Sequence, residues 1–524
     1  MSDKNFYITT PIYYVNGVPH MGSAYTTLAC DVMARFKRLD GYDVHFLTGT
    51  DEHGQKVYKA AQDKGVDPQT FTDAISQNFR DLCDLMNYTQ DDFIRTTEER
   101  HKIAAQALWK RLEENGHIYL DKYAGWYAVR DEAFYNEDEL ETNEAGEKVG
   151  PTGAPVEWME EESFFFDLSK WQEPLLKYYE DHPDFIMPKS RRNEVISFVK
   201  GGLKDLSISR TSFDWGVPVP GHEDKHVMYV WIDALTNYMT SLGYPDTQGE
   251  KFQKFWPEAI HVLGKDILRF HAVYWPAFLL AADLPLPKQI YAHGWWTVEG
   301  HKMSKSLGNT IMPKHLVDTY GLDASRYFLL REVPFGNDGD FSHDAMVGRM
   351  NSDLANGIGN LAQRTLSMIF KNCDKIIPEP NDFNADDEAL LEKLYALPNK
   401  VREQMDGLNF NRALEAIWIE GIANANQYVD EQAPWTLKKT DPERMKTVLY
   451  VLAENVRVIT ILLQAFMPDS CAKILDQLGV IKAQRHIGWA VRDKRLKSGV
   501  EIPKPEGAFP RYVEEEKAEQ SKAG

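Results

Sequence analysis

Two short segments of the chain combine residue types that suit phosphate binding. The first is Pro19-His20-Met21-Gly22-Ser23, directly ahead of an amphipathic helical pattern. A helix start offers unpaired amide donors and a positive dipole end, glycine lets a ligand approach the backbone, and histidine and serine add donors. Ser23 could instead cap the helix without any ligand. Alone, this segment is weak evidence for a nucleotide site.

The second segment is Lys302-Met303-Ser304-Lys305-Ser306, in a loop after the β-prone stretch 289–292. Two lysines three positions apart, with interleaved hydroxyls, form a cationic loop that suits a polyphosphate leaving group. A generic surface loop rich in lysine and serine is the alternative. Five residues of this identity are nevertheless rarer than a histidine and a glycine two apart, so this segment carries more weight than the first.

The pattern around the first segment predicts a parallel α/β sheet. Residues 6–10 form a β-prone run, apolar residues at helical spacing follow from Tyr25 to Leu39, and Val44–Leu47 reads as the next strand. Strand–helix–strand at this spacing is a βαβ unit. Ligands of such sheets bind beyond the carboxyl ends of the strands. Residues 16–23 and 48–54 are therefore expected to lie on the same rim.

Charge and composition limit the function classes. The chain has 524 residues, 59 of them basic and 79 acidic, for a formal charge of −20. A net acidic protein binds a polyanion only through local basic patches. No apolar run is long enough to cross a bilayer and no signal peptide is recognisable, so no membrane association is expected. Four cysteines without a CxxC pair favour a reducing, cytoplasmic location.

The two segments, about 280 residues apart, resemble the signatures of class I aminoacyl-tRNA synthetases. Other stretches are similar to the methionyl-tRNA synthetase family, and the resemblance extends from residue 6 to about residue 470. These stretches are TPIYYVNG at 10–17, TDEHG at 50–54, YVWIDAL at 229–235, and Gly264-Lys265-Asp266 running to Phe270-His271.

The resemblance implies a two-step reaction. Methionine is activated with ATP and Mg²⁺ to methionyl-adenylate and pyrophosphate, and the methionyl group then passes to the 3′-terminal adenosine of initiator or elongator tRNA(Met). Such a transfer depends on positioning and charge stabilisation and needs no enzyme nucleophile. The implied catalytic residues are His20, Ser23, Lys302 and Lys305, and the implied ATP-binding residues are His20, Gly22, Ser23, Gly264, Asp266, His293, Gly294 and Lys305.

The resemblance also implies a methionine pocket. Asp51 is expected to take the substrate ammonium in a charge-assisted hydrogen bond, with help from the backbone of Ile12. Aromatic rings suit the polarizable sulfur, and packing alone discriminates by about 1–3 kcal/mol per methylene, so close analogues are expected to compete. The implied pocket residues are Pro11, Ile12, Tyr14, Asp51, Trp231, Ala234, Leu235, Tyr238, Ile267, Phe270, His271 and Trp275.

One residue of the first signature departs from the family pattern. The signature usually ends in a second histidine, where this chain has Ser23. A hydroxyl can donate to a phosphate oxygen but cannot carry positive charge, so slower adenylate formation is expected unless another cation compensates. Ser23 leaves open a catalytically silent relative that only binds tRNA or methionine. A class I synthetase for another apolar amino acid is a further alternative, against which Asp51, the stretch around Trp231 and His271 argue.

The middle of the chain, 115–225, reads as an insertion into the α/β domain. Many relatives carry a cysteine-built zinc knuckle there, but this stretch has no cysteine and its histidines are widely separated. No zinc or other resident metal is expected, and the knuckle must then rest on aromatic burial. The stretches that resemble the metal-free form are Trp126-Tyr127, Asp131-Glu132 and Val156-Glu157-Trp158.

Long amphipathic helical patterns dominate from about residue 345, for example Val448–Leu463. Asn360 and Arg364 lie four apart on one predicted helix face, and Trp435 adds an indole that can stack on an unpaired base. By resemblance, these three residues read the methionine anticodon. For each residue alone, an interhelical polar contact or a buried tryptophan is the plainer interpretation.

The predicted fold class is a Rossmann-type parallel α/β sheet catalytic domain split by an insertion, followed by an all-α helical-bundle anticodon-binding domain. A monomer is expected, because the chain ends without the appended tRNA-binding and dimerising module of some relatives. The predicted divisions are 1–114 and 226–298 for the two catalytic halves, 115–225 for the insertion, 299–355 for the KMSKS loop and linker, 356–510 for the helical domain and 511–524 for a tail.

Overall fold

The computed structural model describes residues 4–15, 17–131, 133–135, 137–143, 145–302 and 310–514, with the backbone alone at Tyr123, Phe134, His301 and Lys302. The chain forms two compact units. We call Asn5–Cys30 and Val44–His293 the sheet unit. Lys4, Asp31–Asp43 and the described residues from Gly294 onward form the helical unit.

A seven-stranded sheet forms the centre of the sheet unit, and most residues of its longer strands are buried. The strands of this unit are β1 (Asn5–Thr9), β2 (Tyr13–Tyr14), β3 (Asp43–Asp51), β4 (Asp92–Arg95), β5 (Ile118–Ala128), β6 (Ala133–Tyr135), β7 (Glu141–Thr142), β8 (Lys148–Val149), β9 (Glu157–Phe166), β10 (Ile186–Met187), β11 (Leu206–Ser207), β12 (Ser209–Arg210), β13 (Val227–Met228), β14 (Ala259–Gly264) and β15 (Gln289–His293).

The strand order of this sheet is β10-β15-β14-β1-β3-β2, and β4 also pairs with β3, from Leu47 to Thr50. The pairs β1–β14, β14–β15, β10–β15, β2–β3 and β3–β4 are parallel. The helices of this unit are α1 (Met21–Leu39), α2 (Gln55–Asp63), α3 (Pro68–Leu85), α4 (Glu99–Glu114), α5 (Gln172–Asp181), α6 (Lys189–Lys200), α7 (Val230–Leu235), α8 (Asn237–Thr240), α9 (Glu250–Phe255) and α10 (Trp275–Ala281), and the unit boundary falls within α1.

The predicted βαβ unit is confirmed, with small shifts at its ends. Strand β1 begins and ends one residue before the predicted run, and β3 extends the predicted run from Asp43 to Asp51. The chain reverses after α1 at Gly41, whose φ of +86° is a left-handed conformation that glycine adopts without strain. The segments after β1 and β3 both follow carboxyl ends of parallel strands, as the sequence predicts.

The insertion forms its own antiparallel sheet, in the order β11-β9-β5-β6. Ten residue pairs join β5 to β9, from Ile118–Phe166 to Tyr127–Glu157. At the outer part of this ribbon the rings of Trp126 and Trp158 meet edge-to-face, with centroids 5.3 Å apart. Trp158 is 52% exposed, so this ring pair is a surface contact, whereas Tyr127 and Tyr135 are the aromatic residues buried here.

The helical unit begins with a small sheet that the sequence did not predict, because its strands are only two or three residues long. They are β16 (Trp296–Val298), β17 (His301–Lys302) and β18 (Gly339–Phe341), with β16 between the other two. The helices that follow are α11 (Pro313–Tyr320), α12 (Leu322–Arg331), α13 (His343–Gly348), α14 (Asn360–Asn372), α15 (Ala385–Asp406), α16 (Phe410–Ala416), α17 (Asn424–Gln432), α18 (Pro434–Thr440), α19 (Pro442–Leu463) and α20 (Pro468–Gln477).

Helix α19 is the centre of the bundle, and it is buried from Thr447 to Leu463. A helix that is apolar all round is a core helix, which explains the long apolar run that the sequence shows there. The few charges inside it are paired: Arg457 donates to Glu454 at 2.6 Å, and both side chains are at most 2% exposed. None of the described helices is long and apolar enough to cross a membrane.

Candidate active site

The first signature forms a tight turn at the start of α1. Ser23 Oγ donates to the carbonyl oxygen of His20 at 2.9 Å and accepts from the backbone N–H of His20 at 3.2 Å. The backbone N–H of Gly22 donates to Nδ1 of His20 at 3.0 Å. Ser23 is 7% exposed, whereas His20 is an exposed side chain. The serine therefore holds the turn, and the histidine ring lies at its surface.

A side chain at position 22 would displace the histidine ring. A Cβ built on Gly22 would lie 2.8 Å from Cε1 and 3.0 Å from Nδ1 of His20. Because Nδ1 accepts a hydrogen bond, a neutral His20 carries its proton on Nε2. The turn thus places the Nε2 side of the ring at the start of α1, where the N–H of Gly22 is already donated to Nδ1.

Two neighbouring strands end beside this turn. Nε2 of His293, at the end of β15, is 2.7 Å from the hydroxyl of Thr26 in α1. Gly264 ends β14 and pairs in register with His293. A Cβ on Gly264 would lie 2.5 Å from Oδ1 of the exposed Asp266. Four of the predicted ATP-binding residues, His20, Gly264, Asp266 and His293, thus follow carboxyl ends of parallel strands. Sequence reasoning missed Thr26, which only the helical spacing from Ser23 could have indicated.

A cluster of aromatic rings lies on α7, α8 and the π-helical turn Phe270–Tyr274. The rings of Trp231 and Phe270 are parallel, with centroids 3.8 Å apart and an interplanar angle of 5°. His271 meets Trp231 edge-to-face, and Tyr238 lies 6.3 Å from Trp275 between ring centroids. The fold therefore brings together five of the predicted pocket residues, namely Trp231, Tyr238, Phe270, His271 and Trp275, the last of which begins α10.

Hydrogen bonds fix the protonation of this cluster. Burial lowers the pKa of His271 to about 4, so its ring is neutral at neutral pH. Its Nδ1 donates to the carbonyl oxygen of Ile267 at 3.0 Å, which leaves Nε2 to accept from the hydroxyl of Tyr238 at 2.7 Å. Burial also raises the pKa of Tyr238 well above its usual value. His271 and Tyr238 are thus both uncharged, which suits an apolar thioether.

Asp51 lies close enough to the aromatic cluster to contribute to the raised pKa of Tyr238. It ends β3, is 4% exposed, and its backbone oxygen accepts from the N–H of Val15 at 3.3 Å. Strand β2 pairs with this end of β3, with Tyr14 opposite Asp51. Pro11 and Ile12 lie directly before β2. The predicted ammonium-binding residues therefore occupy one edge of the sheet.

Sequence reasoning missed the residues that anchor the turn after β3. The carboxylate of Glu52 is inaccessible to solvent and accepts from Nε of Arg95 at 2.7 Å and from Nη2 at 2.9 Å. His53 is held by Asp233 of α7. Glu52 and His53 lie inside the TDEHG stretch, but nothing in the sequence indicates their partners.

The second signature is described only in part. Lys302 ends β17, and its side chain is outside the described residues, as is Lys305 with the whole stretch 303–309. Gly294 lies just ahead of β16, and a Cβ there would be 2.3 Å from backbone atoms of Asn337. Gly294 is therefore required for a close approach of two backbone segments in the helical unit.

The knuckle of the insertion is described only in part, because Glu132 lies outside the described residues. Within the ranges that the structure describes, no group of three or more His, Cys, Asp and Glu residues is arranged to hold a metal ion. Nζ of Lys148 lies 4.3 Å from the ring centroid of Trp126, whose indole N–H donates to Glu137. The expectation that this knuckle needs no zinc stays a prediction.

The predicted anticodon residues lie on α14 and α18. Asn360 and Arg364 are one turn apart on α14, and the guanidinium of Arg364 lies 5.5 Å from the ring centroid of Trp435. Trp435 is 46% exposed, and Nη2 of Arg364 is 3.4 Å from Asp430. An exposed indole beside a guanidinium is the arrangement that stacks on an unpaired base.

Comparisons with known proteins agree with this geometry. The family model described as tRNA synthetases class I (M) matches residues 6–366, which include the parallel sheet and both signatures. The model described as the anticodon binding domain of methionyl tRNA ligase matches residues 377–523. The fold and the site therefore define a class I aminoacyl-tRNA synthetase with a helical anticodon domain.

Three individual relatives within this class are all enzymes for methionine. The chain is 57% identical over 518 residues to the methionine–tRNA ligase of Rickettsia felis, covering 97% of this chain and 99% of the relative. It is 55% identical over 514 residues to that of Brucella suis biovar 1, covering 98% and 99%. The Mycobacterium tuberculosis methionyl-tRNA synthetase in complex with methionyl-adenylate superposes with a TM-score of 0.94 at 51% identity, covering 97% of this chain and all of that one.

This chain belongs to the methionyl-tRNA synthetase family. It is a methionine–tRNA ligase, which activates methionine and joins it to tRNA. The alternative of another apolar amino acid and that of a catalytically silent relative are both set aside by these findings. The fold class predicted from the sequence is confirmed.

Proposed function

We propose that the two signatures divide the work of the activation step. MgATP is the substrate, and its magnesium ion is held chiefly by the phosphates. The N–H on Nε2 of His20 and the amide end of α1 donate to oxygens of the triphosphate, while Lys302 and Lys305 stabilise the departing pyrophosphate. The observation that carries this assignment is the exposed His20 ring, oriented by Gly22 at the start of α1.

The ribose and the adenine of ATP lie, on this proposal, over the ends of β14 and β15. Asp266 presents an exposed carboxylate that can accept from ribose hydroxyls, and Gly264 leaves room for it. Gly294 follows β15 and allows the backbone at Asn337 to approach closely. This placement agrees with the rule that ligands of parallel sheets bind beyond the strand ends.

Methionine lies, on the same proposal, between Asp51 and the aromatic cluster. The carboxylate of Asp51 accepts from the ammonium group, with the backbone of Ile12 beside it, and Tyr14 lies opposite Asp51 on β2. The neutral His271 and the rings of Trp231 and Phe270 surround the thioether. The remaining members of this pocket are Pro11, Ala234, Leu235, Tyr238, Ile267 and Trp275.

Ser23, on this proposal, stabilises the signature turn through its hydrogen bonds to the backbone of His20. Its single hydroxyl proton is already donated to the carbonyl oxygen of His20. A phosphate contact would require that bond to break. If the absent second histidine limits activation, Ser23→His raises kcat of ATP–pyrophosphate exchange. An unchanged or lower kcat would contradict that hypothesis.

The tRNA partner is proposed to be both initiator and elongator tRNA(Met), which share the anticodon read by Asn360, Arg364 and Trp435. We further propose a monomer in the cytoplasm with no resident zinc. The buried cysteines, none of which forms a disulfide among the described residues, support a reducing compartment. Mass determination in solution and metal analysis of the purified protein test the oligomeric state and the zinc content.

The direct test of the active-site assignment is ATP–pyrophosphate exchange without tRNA, with each of the twenty amino acids, on the wild type and on His20→Asn. Exchange with methionine is expected. His20→Asn is expected to lower kcat by about a hundredfold while KM for methionine stays within about twofold, because charge stabilisation is lost and the amino-acid pocket is untouched. A rise in KM for methionine at unchanged kcat would contradict the role of His20.

A further inference from the structure

A buried carboxylate joins two parts of the proposed methionine site. Asp233 lies on α7, two residues after Trp231, and is inaccessible to solvent. Its Oδ2 is 2.7 Å from Nδ1 of His53, and its Oδ1 is 2.7 Å from Nε2 of His101. The two histidines are at most 2% exposed. The three side chains therefore form one buried network in the sheet unit.

The charge of Asp233 fixes the orientation of both rings. Burial opposes its ionisation, but the two histidines outweigh burial and lower the pKa of the carboxyl to about 2. An ionised carboxylate only accepts hydrogen bonds, so both histidines donate to it. His53 thus carries a proton on Nδ1 and His101 carries one on Nε2. Breaking either bond leaves a buried charge with half of its partners.

His53 belongs to the turn that carries Asp51. Its ring packs edge-to-face on Trp215, with centroids 5.4 Å apart, and the indole N–H of Trp215 donates to the backbone oxygen of Glu52 at 2.6 Å. The carboxylate of Glu52 is held in turn by Arg95. Both residues that follow Asp51 are therefore anchored, Glu52 toward β4 and His53 toward α7.

His101 supplies the scaffold for this connection. It lies in the first turn of α4, and its Nδ1 is 3.3 Å from the hydroxyl of Thr240 in α8. Helix α4 contacts both α7 and α8 through its buried face. Asp233 consequently holds α7 and the turn after β3 against one rigid helix.

We propose that Asp233 is a positioning residue that fixes the separation between the carboxylate of Asp51 and the thioether pocket on α7. The inference rests on the proposed methionine site. A substrate spans that separation with its ammonium group at one end and its sulfur at the other, so a fixed separation selects amino acids by length as well as by shape. Asp233 itself contacts His53 and His101 and does not need to touch the substrate.

The test is Asp233→Asn in ATP–pyrophosphate exchange with methionine, ethionine and norleucine. Asparagine keeps the size of the side chain but loses the charge and one acceptor. KM for methionine is expected to rise about tenfold or more while KM for ATP stays within about twofold, and the preference for methionine over ethionine in kcat/KM is expected to fall by about threefold. Equal rises of both KM values, or an unchanged analogue preference, would overturn the proposal.

Two substitutions of His53 separate the effect of losing the hydrogen bond to Asp233 from the effect of losing side-chain volume. His53→Asn keeps an N–H donor near the position of Nδ1, whereas His53→Ala removes it. His53→Asn is expected to stay within about threefold of the wild type in KM for methionine, and His53→Ala is expected to resemble Asp233→Asn. If both variants behave alike, the bond to Asp233 is not what positions the site, and the proposal fails.

Asp167→Asn is the matched control. Asp167 is also a buried aspartate, 3% exposed, that accepts from a histidine, Nδ1 of His117 at 3.1 Å, but it lies in the insertion. Its substitution is expected to leave KM for methionine and the analogue preference unchanged. A shift in Asp167→Asn equal to that in Asp233→Asn would mean that any loss of a buried carboxylate loosens the site, which contradicts the positioning role.

Asp51→Asn distinguishes the two possible failures. If Asp51→Asn leaves KM for methionine unchanged, the proposed methionine site is wrong and the positioning role falls with it. If Asp51→Asn raises KM for methionine and Asp233→Asn does not, the site stands and only the positioning role is rejected.

Discussion

The proposed methionine site and the proposed anticodon face meet their ligands under opposite conditions. The aromatic cluster around Trp231 is buried, uncharged and already packed, with the hydroxyl of Tyr238 committed to His271. Trp435 is 46% exposed, and its neighbour Arg364 is only loosely paired with Asp430 at 3.4 Å. The proposed methionine site is therefore in the core of the sheet unit, and the proposed anticodon face is on the surface of the helical unit.

This difference reflects the ligands. A small apolar side chain offers few contacts, so its site must be pre-organised and dry for each contact to count. An anticodon base brings a large π-face and a phosphate backbone, so an exposed indole and a guanidinium suffice, and salt weakens the contact. Substitutions in the first site should therefore act on amino-acid activation, and those in the second on tRNA charging alone.

Asp51→Asn is expected to have the largest effect and to sharpen the contrast. Removing the charge that receives the ammonium group is expected to lower kcat/KM for methionine in exchange by about a hundredfold or more, because a charge-assisted hydrogen bond in a buried site is lost. Affinity for tRNA(Met), measured by filter binding, is expected to stay within about twofold, since the substitution lies in the sheet unit. A comparable loss of tRNA affinity would erase the distinction between the two sites.

Trp435→Ala is expected to give the reverse pattern. Loss of one stacked base is worth about 1–3 kcal/mol, so kcat/KM for tRNA(Met) in aminoacylation is expected to fall about tenfold to a hundredfold. Exchange without tRNA is expected to be unchanged. Ile419→Ala provides a control, because Ile419 is another exposed large apolar residue of the helical unit, at 59%, and is expected to leave charging unaffected. Equal losses in both variants would contradict the assignment of Trp435.

His271→Gln tests the neutral state of the pocket through stability. The pKa of His271 is lowered by burial to about 4, so between its unfolded value near 6.5 and about 4 the unfolded chain binds a proton that the folded chain does not. Stability therefore falls as pH falls through this window, by at most about 1.4 kcal/mol per pH unit from this residue. His271→Gln is expected to show a shallower loss of melting temperature from pH 6.5 to 4.5. An identical slope in both proteins would show that His271 is not held neutral.

Asp430→Asn is expected to have the smallest effect, and a favourable one. The carboxylate is 70% exposed, so its pairing with Arg364 is worth little. Removing it frees the guanidinium for tRNA and removes a repelling charge, and Kd for tRNA(Met) is expected to fall by about twofold at low salt. The gain should vanish at high salt. A higher Kd for tRNA(Met) would mean that Asp430 holds Arg364 in the binding orientation.

Sequence reasoning reached the catalytic sheet, the helical bundle and the rim on which the first signature lies. It succeeded there because βαβ units and long amphipathic helices have periodicity that local composition reveals. It missed the three-stranded sheet around Trp296, whose strands are too short for any periodicity. It also missed Asp233, His53 and His101, because their contacts join residues 132 and 180 positions apart. Polar networks of this kind depend on tertiary packing, which a single sequence does not encode locally.

Ser23 illustrates a second limit. The sequence offered two interpretations, a phosphate donor or a helix cap, and the side chain alone could not decide between them. Ser23 is the third residue of α1, and its hydroxyl bonds to both backbone groups of His20, so it is not the N-cap that the sequence suggested. The role of Ser23 depends on which acceptor its hydroxyl proton meets, and only the geometry of the turn determines that acceptor.

The absence of a side chain at Gly22 has a consequence for drug resistance. A Cβ at this position would lie only 2.8 Å from Cε1 of His20, so any replacement residue must push the ring aside. An inhibitor that packs on this backbone contacts a position at which escape substitutions displace the histidine proposed to bind ATP. Resistance arising there would be expected to carry a fitness cost, which growth competition between Gly22→Ala and wild-type strains would measure.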